Sequence, residues 1–364
     1  MAISESARPG TATRPASFAE APDGERRRRP LRSYWPQYVA VAPFYILFLV
    51  FGLFPVVFSV VLSFTQWDGI SKLKFVGLAQ YAFLVQDPRF WTSVANTLII
   101  WVISTLPMLF LALLMAFILH QNIRGKGFYR VAFFIPNVTS LVAVAVVFSS
   151  VFSDSFGLIN NALTALGAAN IPWLSSDWGI KVTIAVMVIW RYTGYNAIIY
   201  LAGLQSVPTD LYEAARVDGA SSTQIFFRIT IPLLRPVILF TLITSTIGGL
   251  SLFTEPQVLF GTGASASSAG GPGDAGLTIV LYQYVQAFFN FDFGYASAIA
   301  WALFVLSAVV AFINFRLLRD RDDAMGDRKV PMFQRRRAAA RARSRAAESD
   351  AVSASRQTRE EVRS

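Results

Sequence analysis

Six blocks of almost unbroken apolar residues punctuate the chain, near 38–63, 93–119, 131–152, 180–203, 236–255 and 294–316. A helix needs about 20 such residues to cross roughly 30 Å of hydrocarbon, so the pattern predicts six transmembrane helices. Prolines at 43, 55, 107 and 136 fall inside these blocks or at their ends. Neighbouring helices can satisfy the carbonyls a proline frees, and the assignment stands. After the fifth block, LTIVLYQYVQAFFNF (277–291) is apolar but interrupted. It reads as a helix lying at the outer interface or re-entering, with a seventh span as the alternative.

Composition agrees with the pattern: 54% of residues are hydrophobic and 15% charged, against about 25% charged in soluble domains. Lipid is the expected solvent. The net charge of +10 would suggest nucleic acid if it were spread over a folded surface, but most of it sits in two tails. Residues 1–36, with the run Arg26–Arg29, hold too few large apolar side chains to repay ordering and are expected to be disordered. They are not expected to be a cleavable signal peptide, because the apolar stretch that follows far exceeds an h-region. Residues 319–364 form a second basic tail with Arg335–Arg337, Arg341, Arg343 and Arg345. It is read as solvated, the alternative being a basic helix on anionic lipid.

Of the 32 Lys and Arg residues, 27 lie in the two tails and the loops 120–130 and 204–235. Lys72, Lys74, Arg89 and Lys181 lie on the other side, and Arg191 inside a span. The asymmetry places both termini in the cytoplasm. On the outer side, the Gly/Ser/Ala-rich stretch PQVLFGTGASASSAGGPGDAG (256–276) is expected to be a flexible loop.

Several chemistries are disfavoured. With no cysteine and a single histidine, His120, the chain has no disulfide, thiolate or multi-histidine metal site. No Asp or Glu is placed in the hydrocarbon part of a span, Glu255 being assigned to the outer end of the fifth, which argues against a proton-coupled carrier. RGKG at 124–127 lacks the spacing and the Ser/Thr of a phosphate-binding loop. The chain is therefore not expected to bind ATP, and energised work would draw on another subunit. A secondary transporter or channel uncoupled from ATP is the main rival reading, and a membrane enzyme the second.

One cytoplasmic loop is unusually punctuated. In LQSVPTDLYEAARVDGASSTQIFFRITIPLLRPVI, Thr209 can N-cap a short helix with Asp210 and Glu213 near its start. Ala214, Ala215 and Val217 give it a low profile, and Gly219 can end it in a left-handed conformation. An ordinary capped loop helix would also look like this. The spacing Glu213, Asp218, Gly219, Phe226, Ile229, Pro232, however, resembles the EAA loop of binding-protein-dependent ABC importer permeases. FVGLAQYAFLVQDPRFWTSVANTLI, RVAFFIPNVTS, FGLINNAL and FGYASAIAWALF are similar to the carbohydrate subgroup, the class of the maltose and glycerol-3-phosphate permeases. The resemblance covers roughly residues 38–318.

It implies an all-α polytopic membrane protein of the type I importer (MetI-like) fold, with a first helix and outer loop at 37–91. A core at 92–318 would contain the coupling loop 208–236. It further implies import of a sugar or polyol by alternating access, with a second homologous permease, two ABC ATPase subunits and an extracytoplasmic solute-binding protein as partners. ATP and Mg would be bound by the ATPases, and no cofactor by this chain. Glu213, Ala214, Ala215, Asp218 and Gly219 would form the coupling helix.

The fourth block carries a further signal. Val188, Arg191, Tyr192 and Tyr195 fall at i, i+3, i+4 and i+7 and share one helical face. A charge and two phenols there either line a path through the bundle, or Arg191 snorkels or pairs with backbone carbonyls. The resemblance to sugar permeases favours a cavity wall, and the charge also admits an anionic substrate. Asn137, Ser245 and Gly249 are further candidates for the path, although Gly248 and Gly249 are equally readable as helix-packing positions.

Overall fold

A computed structural model describes residues 35–121, 124–260 and 268–326. The expected disorder of the N-terminal tail and most of the basic C-terminal tail lie outside the described residues, as does the 261–267 part of the expected flexible loop. The chain forms two compact units, one ending at Val57 and the other beginning at Phe58.

The first span comprises α1 (Trp35–Leu47), a π-helical stretch at Phe48–Leu53, and α2 (Phe54–Ser63). Pro55 accounts for the widening, since its ring would press on the carbonyl four residues earlier in a regular helix. A two-residue hairpin follows, with β1 (Thr65–Gln66) antiparallel to β2 (Lys74–Phe75), the one departure from an all-helical fold among the described residues. Next come α3 (Ala79–Gln86) and α4 (Pro88–His120). Asp87 caps α4 by accepting from the Arg89 N–H at 2.9 Å, with Pro88 at the first helical position.

Among the described residues, five helical stretches are long and apolar enough to cross a membrane, and a sixth is counted if a bent pair is taken as one span. The bent pair, α5 (Lys126–Val138) and α6 (Leu141–Val151), replaces the single helix expected at 131–152 and turns by 93°. The break falls at Thr139 and Ser140, both extended at ψ 143° and 125°. Pro136 supplies no N–H to the last turn of α5. The Thr139 hydroxyl donates to the Ile135 carbonyl at 2.8 Å, ending the helix there.

After α7 (Leu158–Ala165), α8 (Asp177–Gln205) packs along α4. Ala112 and Ala116 on α4 and Ala197 on α8 keep the two backbones close among Met108, Leu113, Tyr200 and Leu204. Gly194 permits a similar approach by α5, because a Cβ there would lie 1.8 Å from the Phe133 carbonyl oxygen. The chain then runs through α9 (Thr209–Val217), α10 (Ser222–Ile225), a π-helical stretch at Phe226–Thr230, α11 (Ile231–Leu233) and α12 (Arg235–Leu250). Hydroxyls stitch the bundle: Tyr200 to Thr241 at 2.6 Å, and the Asn314 amide to Thr246 at 3.0 Å.

The outer end is more ordered than the composition of 256–276 suggests. Residues up to 260 continue as α13 (Thr254–Phe260), and the described part beyond 267 is a run of turns pinned to α4. Arg89 forms a two-point ion pair with Asp274 at 2.8 Å, and the Asn96 amide donates to the Asp274 carbonyl at 2.7 Å. Long-range partners hold a segment whose own residues favour no structure.

α14 (Ile279–Phe288) is the interrupted apolar segment; at ten residues it is too short to span. Its Tyr282, with Tyr295 of α15 (Phe293–Gly326), donates to Asp87 at 2.5 and 2.6 Å. Burial and the Asp87 carboxylate push the Tyr282 phenol well above its ordinary pKa, so it stays a donor. α15 continues past residue 319, where the tail was expected to begin.

Candidate functional site

Two places carry the expected functional residues. The first is α9. Pro208 occupies its cap position and Thr209 is the first helical residue, so the expected Thr209 cap is not formed. Proline with ψ 130° brings the chain in extended and leaves no turn in which the Thr209 side chain could cap. The other end is as expected. Gly219 has φ +79°, its N–H donates to the Arg216 carbonyl at 3.1 Å, and the Ala220 N–H reaches back to Ala215 at 2.9 Å. That pair of bonds is a Schellman stop. Ser221 and Gln224 then form a capping box that restarts the chain as α10.

α9 is anchored along one line and free elsewhere. Tyr212 is buried with its ring 5.6 Å from that of His120 at the end of α4. Glu213, Ala214, Asp218 and Gly219 are exposed and Ala215 half-buried. Val217 is 88% exposed and Leu211 45%, so the outward face is polar, small and partly apolar, the make-up of a contact surface.

The second place is a cavity of about 370 Å³ between α4, α8, α12 and α13. Val188, Tyr192, Tyr195, Ser245 and Gly249 line it, five of the seven expected path residues. Arg191 is not on its wall. Its Nη1 donates to the Thr139 carbonyl at 3.1 Å and its guanidinium lies over the Tyr192 ring at 5.7 Å. Of the two roles open to it, the backbone pairing is the one formed. Asn137 is half-buried on α5 and off the cavity. Gly249 serves packing too, since a Cβ would meet the Trp101 ring at 2.5 Å.

Sequence reasoning missed Asn196, Thr105, Thr244 and above all Glu255, which also line the cavity. Asn196 was findable, four residues after Tyr192 on the same face. Glu255 was assigned to the outer end of the fifth block, but it is 3% exposed inside the bundle. α12 stops at Leu250 and α13 resumes at Thr254, so the chain doubles polar residues into the interior before it leaves. Arg191 and Tyr192 are its electrostatic neighbours. Glu255 also falls within the candidate span Arg235–Phe260, so a missing intramembrane carboxylate does not decide against a coupled carrier, and the class is decided on other grounds.

Residues 82–321 match the family described as binding-protein-dependent transport system inner membrane component. The chain belongs to this family. Among permeases it is 40% identical over 300 residues to the lactose transport system permease protein LacF of Rhizobium radiobacter, covering 81% of this chain and 98% of that one. It is 35% identical over 282 residues to the arabinooligosaccharides transport system permease protein AraP of Halalkalibacterium halodurans, covering 77% and 86%. The fold matches a bacterial ABC transporter involved in import of the acidic polysaccharide alginate, with TM-score 0.67 at 23% identity over 79% of this chain and 96% of that one. This permease is thus a multi-pass subunit of an ABC importer, with the fold the EAA resemblance implied.

Proposed function

We propose that this permease carries a saccharide through the cavity on α4, α8, α12 and α13 while α9 couples it to ATP hydrolysis in partner subunits. The observation that carries the reading is the cavity's lining: two phenol rings, Tyr192 and Tyr195, among the hydroxyls and amide of Thr105, Thr244, Ser245 and Asn196. Aromatic faces suit the C–H faces of sugar rings, and fixed hydroxyls and amides suit their hydroxyl groups. The names of LacF and AraP, a lactose and an arabinooligosaccharide permease, support the same class.

Membership of the family supports the following assembly. A solute-binding protein delivers the sugar at the outer face, and a second, homologous permease completes the path. Two ATPase subunits take the exposed face of α9, with Glu213, Ala214, Ala215, Asp218 and Gly219 in the contact, and they supply the ATP and Mg sites. Both termini lie in the cytoplasm with α9. Nucleotide-driven closure of the ATPases moves α9, which is tied to α4 through Tyr212 and His120, and the cavity opens alternately to each side.

The test is uptake of a panel of labelled saccharides, lactose and arabino-oligosaccharides included, by cells with and without this chain, with and without depletion of ATP. Loss of ATP-dependent uptake of at least one neutral saccharide is expected on deletion. Unchanged uptake across the panel would overturn the substrate class, and uptake that survives ATP depletion would overturn the coupling.

A further inference from the structure

The cavity contains one feature that a surface for hydroxyl groups does not by itself require, a carboxylate. Glu255 is 3% exposed, lines the cavity, and its Oε1 has no hydrogen-bond partner among the described residues. Removing a carboxylate oxygen from water without a partner is costly, so its retention needs an occupant. The nearest cation does not supply the missing bond. Arg191 spends one nitrogen on the Thr139 carbonyl and its face on Tyr192, and no salt bridge to Glu255 forms.

From this geometry we infer that Glu255 is a specificity-determining residue: its carboxylate accepts hydrogen bonds from hydroxyl groups of a neutral saccharide and turns away anionic sugars. The inference rests on the saccharide reading above and sharpens it. Two observations fix the sign. Among the described residues Glu255 is the one acidic residue on the cavity wall, and no Lys or Arg shares that wall. An arriving carboxylate or phosphate would meet a negative group at close range in a partly desolvated space, while the Arg191 guanidinium lies off the cavity wall, held at one nitrogen by the Thr139 carbonyl. A pair of hydroxyls offers the opposite match, because a carboxylate oxygen accepts and a hydroxyl donates. The anionic substrate that Arg191 admitted on sequence grounds is thereby disfavoured. Sites of this kind discriminate strongly, since the wrong ligand leaves a buried polar group unpaired.

The experiment uses the whole importer reconstituted in proteoliposomes with its binding protein. The neutral probe is the saccharide of the uptake panel that the wild type imports, and the anionic probe is its aldonate, made by oxidising the reducing end to a carboxylate. Variants are Glu255→Gln, which keeps the shape and removes the charge, and Glu255→Asp, which keeps the charge. Subunit retention and binding-protein affinity are measured alongside. Maximal neutral uptake should fall at least tenfold in Glu255→Gln and less in Glu255→Asp, with all subunits retained, while the wild type imports the aldonate at less than a tenth of the neutral rate. Wild-type uptake by Glu255→Gln, or equal uptake of the two probes by the wild type, would overturn the inference. So would loss of subunits in both variants, which would make Glu255 a structural partner of Arg191. Failure of the broader saccharide reading is separately visible, as a wild type that imports no neutral saccharide before any variant is made.

Discussion

Gly219 shows how much a single residue can carry without touching anything. A Cβ at this position would find no atom within 4 Å, so space does not explain the glycine; its φ of +79° does. The left-handed region costs an ordinary L-residue about 1–2 kcal/mol, and β-branching adds to this. Gly219→Val should therefore undo the Schellman stop and tilt the exposed face of α9, whereas Gly219→Asn should be milder. Glu213→Ala removes an exposed carboxylate, and an exposed ion pair from it to a partner subunit would contribute about 1 kcal/mol or less. Uptake, ATP hydrolysis and subunit retention should be measured in parallel on the three. Severe loss of coupled uptake is expected for Gly219→Val and a modest loss for Glu213→Ala, and wild-type values throughout for Gly219→Val would remove the coupling role from α9. A second residue reports on pH. The backbone N–H groups of Ser71 and Ile70 donate to the Asp68 carboxylate at 2.7 and 3.0 Å and lower its pKa from 3.8 to about 2. A carboxylate with a depressed folded pKa stabilises its turn above the unfolded value and loses that contribution as pH falls through the folded one. Trp67 donates to the Ser71 carbonyl at 2.9 Å and so reads the same turn. In a single-tryptophan variant its fluorescence should hold at pH 4 and shift toward pH 2, while a transition centred at 3.8 would show a carboxylate free of the turn.

At the scale of elements, the broken third span is where sequence and structure part. Apolar periodicity could place α5 and α6 in one hydrophobic block, but it is blind to a bend whose stabilising partner lies 52 positions away, where Arg191 binds the Thr139 carbonyl. Pro136 and the polar residues Asn137, Thr139 and Ser140 were local hints, and proline alone is tolerated in spans too often to decide. The burial of Glu255 was missed for a related reason. The halt at Leu250 and the restart at Thr254 are held by the Thr278 hydroxyl donating to the Leu252 carbonyl at 2.6 Å, a contact invisible to hydropathy. What was legible is local: the six apolar blocks, the face shared by Val188, Tyr192 and Tyr195, and the stop at Gly219. Arg191→Ala follows as an element-scale prediction. A hydrogen bond from a charged donor contributes about 1.5–3 kcal/mol, and its loss frees the carbonyl at the bend and removes the cation nearest Glu255. Thermal unfolding of the purified complex should shift down by several degrees, with Arg191→Lys intermediate. An unchanged transition would show that the bend holds without Arg191. Gly194→Ala should be worse, since the new Cβ meets the Phe133 carbonyl and α5 must move off α8.

At the scale of the whole molecule, the claim most exposed to test is which side of the membrane each loop occupies. The helices alone are neutral on this point, because a bundle and its inverted copy bury the same surfaces. Orientation rests on 27 of 32 basic residues falling on the side of α9, and on the energetic preference for retaining Lys and Arg loops in the cytoplasm. The chain has no cysteine, so single-cysteine variants report without background. Two exposed serines on opposite sides serve: Ser71, in the turn beside the β1–β2 hairpin, and Ser222, at the start of α10 just beyond Gly219. In sealed spheroplasts a membrane-impermeant maleimide should label Ser71→Cys at once and leave Ser222→Cys unlabelled until the membrane is permeabilised. The reversed pattern would place α9 outside, where no ATPase could reach it, and the coupling reading would fall with the topology. Labelling of both before permeabilisation would mean an even number of crossings between them. Three candidate crossings separate these positions, α4, the α5–α6 pair and α8, so such a result would identify the 93° pair as a re-entrant element that leaves the membrane on the side it entered.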